Sequence, residues 1–390
     1  MNSPHPETAM PLRCYPAAAL LLLGASGCAP DAPAPPAVPS VAGSGMPTFE
    51  RRPLAIAEED LPQERYLMFG VVSDGSVIYQ ASFDEGPILR RVDSTGGRIG
   101  AFVRDGEGPG ELRGFAHLKV RGDTLQIYNT DRSALIEMTL NGKLLRERRA
   151  LIYDLAMAWL GDSVDHFQPF PLPGQRGGAM IRSPLGSQDG RVVFDTSNVL
   201  FANAIAKRPP ERNPSMTVPY LATKDRIWLA DSWNYRISTF SSDGRLLNDF
   251  VHDVPPNRRG PRALAETRDR IMKAPRSTRG PDGKRYDLPD ERGRLDTLER
   301  EQIRHFTRNP LHVDEFGRLW VVGLSRDSTA VDLFSDTTFV GRVMLPCYAS
   351  PYGTRVAFGR GGWMVLECEV EGGDWPTELQ LYRIVERPKT

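Results

Sequence analysis

Net charge, long apolar runs and catalytic signatures are all scarce in this chain. Lys and Arg number 49 and Asp and Glu number 49, so the formal charge at pH 7 is zero. A bulk nucleic-acid binder, which relies on a basic surface to attract phosphates, is thereby disfavoured. A hydrophobic content of 40% with 25% charged residues excludes a disordered chain. The apolar run Ala17–Gly24 is far shorter than the roughly 20 residues that a membrane-spanning helix needs. There is no HExxH pair, no GxSxG nucleophile turn and no P-loop. Gly106-Glu107-Gly108-Pro109-Gly110 is glycine-rich like a nucleotide loop. Pro109 and the strand expected after it mark it instead as a tight turn. Past the N-terminal segment the histidines are His117, His166, His252, His305 and His312, none at short metal-ligand spacing. Pro310 separates His305 from His312, so no metal and no cofactor are expected from sequence.

The N-terminus carries an address. Arg13 precedes the apolar run, and small residues follow it, in the order of a secretory signal. The run ends in Ala25-Ser26-Gly27-Cys28 and resembles a bacterial lipoprotein signal, with Ala25 where the pattern usually has Leu. The resemblance implies cleavage before Cys28, diacylglycerol on its thiol, and a place on the bacterial cell envelope, at the outer membrane or its periplasmic face. Residues 1–27 are then the signal, with Met10 opening a more usual one than Met1. Residues 28–47, rich in Pro and Ala, form a tether, and residues 48–390 form the folded body. Two cysteines remain in that body, Cys347 and Cys368. In an oxidising compartment they can form a disulfide; two separate buried thiols are the other reading.

The body repeats itself. Gly122–Leu145 aligns without a gap to Lys224–Leu247: Leu125 matches Ile227, Ile127 matches Leu229, Asn129 matches Asp231 and Gly142 matches Gly244. Each unit reads as alternating strands joined by turns, with Asn141-Gly142 or Asp243-Gly244 as a two-residue hairpin signal. The late-turn glycines Gly96, Gly142, Gly190 and Gly244 continue the period, and further units restart at Gly317 and Arg355. The count is six. Four-stranded units at this spacing predict an all-β fold, a six-bladed β-propeller. Ile227-Trp228-Leu229-Ala230-Asp231, Asn234-Tyr235-Arg236-Ile237 and Phe240 carry a resemblance to six-bladed propellers of the NHL-repeat type. In that family the Asp equivalent to Asp231 organises a turn. The last unit lacks a fourth strand, and Phe49–Ile56 is a spare strand able to close the ring; an open last blade is the alternative.

Residues 258–306 break the period between blades four and five. They hold twelve Arg and two Lys against nine Asp and Glu, a local charge of +5. Leu264 with Ile271, and Leu295, Leu298, Ile303 and Phe306, share helical faces, which predicts two helices joined by the stretch Pro275–Pro289. Arg258, Arg259, Arg262, Arg276, Arg279 and Lys284 are candidates to contact an acidic partner, unless Glu266, Asp269, Glu299 and Glu301 pair with the arginines internally. Trp233 and Tyr235 have no counterpart in the aligned unit and are candidate binding aromatics. The expected function is a monomeric, non-enzymatic binding module, held to the membrane by its N-terminal lipid and presenting a face to a protein, peptide or glycan. The alternative is a lactonase-like hydrolase or lyase with a divalent metal at the central channel. Carboxylates and histidines converging there would favour the enzyme; aliphatic residues mixed with arginine would favour binding.

Overall fold

Among the described residues, alternating apolar strands and Gly-containing turns fold into six antiparallel sheets of four strands each, arranged as a β-propeller. A computed structural model describes residues 46–61, 68–80, 88–114, 116–149, 157–160, 163–168, 179–184, 190–205, 220–279, 284–288, 290–323, 329–347, 355–370 and 377–386. The signal segment, Cys28 and all but the end of the tether lie outside them. Of the chain's two compact units, Met1–Pro39 and Ser40–Thr390, the second holds every described residue.

The first sheet contains Phe69–Val71, Val77–Gln80, Leu89–Val92 and Arg98–Phe102. The second contains Ala116–Arg121, Thr124–Asn129, Ala134–Thr139 and Leu144–Arg149. The third contains Met157–Trp159, Ser163–Gln168, Ala179–Pro184 and Arg191–Asp195. The fourth contains Tyr220–Ala222, Arg226–Asp231, Arg236–Ser241 and Leu246–Val251. Phe306–Val313, Leu319–Gly323, Thr329–Ser335 and Thr338–Leu345 make the fifth. Arg355–Gly359, Trp363–Glu369 and Thr377–Val385 make the sixth, whose fourth strand is Thr48–Arg52 from the other end of the body. Thr48 pairs with Val385 and Arg52 with Leu381, so the N-terminal strand closes the last sheet and leaves that edge paired.

Burial orders the strands from centre to rim. In every sheet but the third, the second strand is packed on both faces, as in Arg226–Asp231, where all but the first residue are buried. The fourth strands are largely exposed, as in Leu246–Val251. The first strands touch one another across sheets: Arg355–Gly359 meets Phe69–Val71, which meets Ala116–Arg121. Met157–Trp159 meets Tyr220–Ala222, which meets Phe306–Val313, and that strand meets Arg355–Gly359. First strands therefore line the middle. The hairpin glycines Gly142 and Gly244 have φ of 82° and 93°, values at which any residue with a Cβ is strained.

Between the fourth and fifth sheets the chain forms the helix α1, Pro261–Lys273, with Ala263 and Ile271 buried. The second expected helix is absent. Residues Arg292–Arg294 make one 3-10 turn, residues 295–300 continue as turns, and Phe306 starts a strand. Leu298 is fully buried, so the apolar spacing that suggested a helix records contacts made by turns. Gly293, within an Arg-Gly-Arg sequence, weakens helix propagation there. The joining stretch contains a two-stranded ribbon, Ser277–Arg279 with Arg285–Asp287. A further helix, α2, Val199–Ile205, lies between the third and fourth sheets and has no counterpart in the expected pattern. Cys347, just beyond the fifth sheet, and Cys368, in the sixth, are joined by a disulfide across 21 residues of sequence. Closing a loop of that length is worth roughly 3 kcal/mol in the chain-entropy account.

Candidate functional site

The two aromatic candidates lie in the turn between the second and third strands of the fourth sheet. Asp231 builds this turn: its carboxylate accepts from the Trp233 backbone N–H at 3.0 Å and from the Asn234 side chain at 2.5 Å. Asn129 plays the matching part in the second sheet, accepting from the Arg132 N–H at 3.0 Å. Both aromatics are buried, Trp233 to 4% exposure and Tyr235 to 2%, which corrects the expectation that they line a binding face. The insertion covers Trp233: Gln302 donates to its carbonyl at 2.7 Å, and the Arg304 guanidinium stands 5.9 Å from its ring. Tyr235 packs edge-on against Phe306 at 4.4 Å and donates its hydroxyl to the Asp332 carboxylate of the fifth sheet. Burial, then the Asp332 charge, push its phenol far above the usual tyrosine value. Tyr235 is a joint between sheets.

The basic candidates divide. Arg259 pairs with Glu301 at 2.9 Å, and Arg262 reaches both Glu266 at 3.1 Å and Glu369 of the sixth sheet at 3.6 Å. Arg268–Glu299, Lys273–Asp269 and Arg294–Glu301 complete an internal network. Arg258, Arg276, Arg279 and Lys284 are exposed. The six residues thus do not act as one free patch, because the insertion's own carboxylates hold two of them. The insertion's base is fastened at Asn257, whose side chain donates to the Arg304 carbonyl at 2.6 Å.

The centre of the molecule presents a different chemistry. The six first strands read FGV, AHLKVR, MAW, YLA, FTRNPLHV and RVAFG. They contain no Asp and no Glu, while Lys119, Arg121, Arg308 and Arg355 are cationic. Solvent reaches this centre: Lys119 and Arg121 are exposed, and every residue of Arg355–Gly359 is half-buried. Strand alternation separates the two sides of Ala116–Arg121. Leu118 and Val120 lie against the first sheet, where a Cβ on Gly70 would come within 2.8 Å of each, so only glycine lets these strands approach. His117, Lys119 and Arg121 take the opposite side. Lys119 is exposed on this wall. Desolvation lowers its pKa, and the Arg121 charge adds to the effect. Burial, then the Arg355 charge, lowers His117 to about 4, so it is neutral at pH 7.

Arg355 is placed differently from Lys119. Its guanidinium holds the buried Glu367 carboxylate through two bonds of 2.5 Å and lies 5.3 Å from the Phe69 ring. The same pairing of a buried carboxylate with arginine recurs away from the channel, in Asp165–Arg182 and Asp332–Arg342. Tyr220 adds a third member to the former, donating to Asp165. Among the described residues neither Lys119 nor Arg121 has a carboxylate partner, and no three His, Cys, Asp or Glu side chains converge as a metal site would require. The sequence signal that could have found this wall is the absence of acidic residues from every first strand. It becomes readable only once the register identifies which strand is first.

No family model matches the chain, and no curated protein matches it. Solved structures of low identity are similar in fold. A member of the DUF4221 family from Bacteroides vulgatus shares 8% identity at a TM-score of 0.49, covering 88% of this chain and 97% of that one. A protein from Bacteroides fragilis described as exported shares 8% identity at a TM-score of 0.46, covering 86% and 95%. An inactive variant of virginiamycin B lyase from Staphylococcus aureus, solved with quinupristin, shares 12% identity at a TM-score of 0.39, covering 87% and 100%. Likeness at these identities concerns fold and does not extend to ligand or chemistry.

Proposed function

We propose that this protein is a lipid-anchored β-propeller of the bacterial cell envelope that works as a non-enzymatic binding module. In this reading its six sheets are six blades, Cys28 carries the lipid, and residues 28–47 hold the ring away from the membrane. The observation that carries the binding reading is the make-up of the first strands. The six first strands bring aliphatic, aromatic and cationic residues to the centre, with His117, Thr307, Asn309 and His312 among them but no carboxylate, the oxygen ligand that a hard divalent cation favours. The exposed basic residues Arg258, Arg276 and Arg279 offer an acidic protein, peptide or glycan a second contact at the rim.

Fractionation and capture test this reading together. Cys28→Ser should move the full-length protein from membrane to soluble fraction. Capture from envelope extracts should recover a partner that Arg258→Ala, Arg276→Ala and Arg279→Ala in combination weaken, with the dependence on salt expected of surface charge. Retention of the Cys28→Ser protein in the membrane would reject the anchor, and a partner unaffected by the triple change would reject the rim contact.

A further inference from the structure

We propose that the channel wall at Lys119 and Arg121 is a binding site for a small oxyanion, the carboxylate or phosphate group of a solute that enters the central channel. The inference rests on the binding-module reading and names the ligand class for it.

Three observations support it. First, the two cations project from the same side of one first strand, two residues and so about 7 Å apart along it. That spacing lets an ammonium and a guanidinium converge on one oxyanion, or hold the two ends of a dianion. Second, among the described residues no carboxylate pairs with either of them. Its other arginines next to buried carboxylates, Arg182, Arg342 and Arg355, are each matched by two bonds. A fold that neutralises those charges and, among the described residues, not these two keeps a local positive excess on the channel wall, which attracts an anion. Third, the wall beside them offers neutral contacts. His117 on the same side is uncharged at pH 7, and the neighbouring Arg355 is already held by Glu367. Among the described side chains of this wall, an anion entering here meets Lys119 and Arg121 as unmatched charges.

Two cations side by side on one strand without a counter-ion repel each other in the empty fold, which gives the test a second readout. The full-length protein is titrated with sodium phosphate and, separately, with sodium malonate, while sodium chloride keeps ionic strength constant. Unfolding midpoint and heat of binding are followed. At least one anion should raise the midpoint beyond what chloride does. Stronger binding of phosphate assigns the site to phosphoryl groups, and stronger binding of malonate assigns it to carboxylates. Lys119→Met should weaken the binding at least about tenfold, the loss expected for one charge-assisted contact. It should also raise the midpoint of the anion-free protein, whereas Lys119→Arg should keep most of the affinity. Should Lys119→Met not fold, Arg121→Gln carries the same test. The proposal is overturned if neither anion acts beyond chloride, or if the charge-removing change leaves affinity unaltered. Membrane retention, measured on the same preparations, reports separately on the module reading.

Discussion

The ring and the insertion both carry many charged residues, and outside the shielded cluster of Glu301 with Arg259 and Arg294 the insertion uses them differently from the ring. In the ring, buried carboxylates are gripped by arginine through paired bonds: Asp332 by Arg342, Asp165 by Arg182, Glu367 by Arg355. In the insertion, Arg268–Glu299 and Lys273–Asp269 join side chains about half exposed to water. Water has already stabilised the surface charges, so their pairing adds little. A buried carboxylate has lost its water and depends on its partner. The insertion is fastened to the ring by polar contacts: the His305 N–H donates to the Ser232 carbonyl at 2.7 Å, Gln302 to the Trp233 carbonyl at 2.7 Å, and Arg262 pairs with Glu369 at 3.6 Å.

The largest expected effect comes from breaking a ring pair. Asp332→Ala leaves Arg342 without its carboxylate and the Tyr235 hydroxyl without its acceptor. A loss of about 3–5 kcal/mol is expected in denaturant unfolding, typical of removing one partner from a buried pair. A loss below about 1 kcal/mol would place this pair with the surface ones and dissolve the contrast.

Acid tests the ring more gently. His117 is depressed to about 4 by burial first and by Arg355 second. The unfolded chain therefore binds a proton on this histidine more readily, near its ordinary value of about 6.5. The sign follows: stability is full above about pH 6.5, falls as pH drops towards 4, and levels below that. The two and a half units correspond to about 3 kcal/mol as an upper figure. His252 and His305 are lowered in the same direction, each by burial first. Unfolding measured at intervals between pH 7 and 4 should show the slope, and His117→Phe should flatten part of it. An unchanged slope would mean that His117 is protonated without cost to the fold.

The smallest effect is predicted for the insertion. Arg268→Ala, which removes the bond to Glu299, should change stability by less than about 1 kcal/mol. Any larger loss would show that the surface network holds the insertion in place.

Much of the ring was legible before folding. The match of Gly122–Leu145 with Lys224–Leu247 reappears as the second and fourth sheets, because period-2 alternation and glycine turns act locally. The turn roles of Asp231 and Asn129 were legible for the same reason: a short polar side chain bonds its own loop. The spare N-terminal strand was recognisable as the last sheet's missing partner. The second helix of the insertion was misread, since the spacing of Leu295, Leu298 and Ile303 cannot distinguish helix from successive turns. Trp233 and Tyr235 were misread as surface residues because their burial comes from the insertion and the fifth sheet, both far along the chain.

By itself the sequence determined what depends on neighbours a few residues away: strand period, turn positions and the overall balance of charge. Tertiary structure alone decided which charges are matched and which are left open. Lys119 and Arg121 look like any two basic residues in a strand until the ring sets that strand at its centre, with acid-free first strands around it. Burial and pairing arise from contacts between distant segments, and electrostatic energy depends on the surroundings those contacts create more than on the residues that bear the charge.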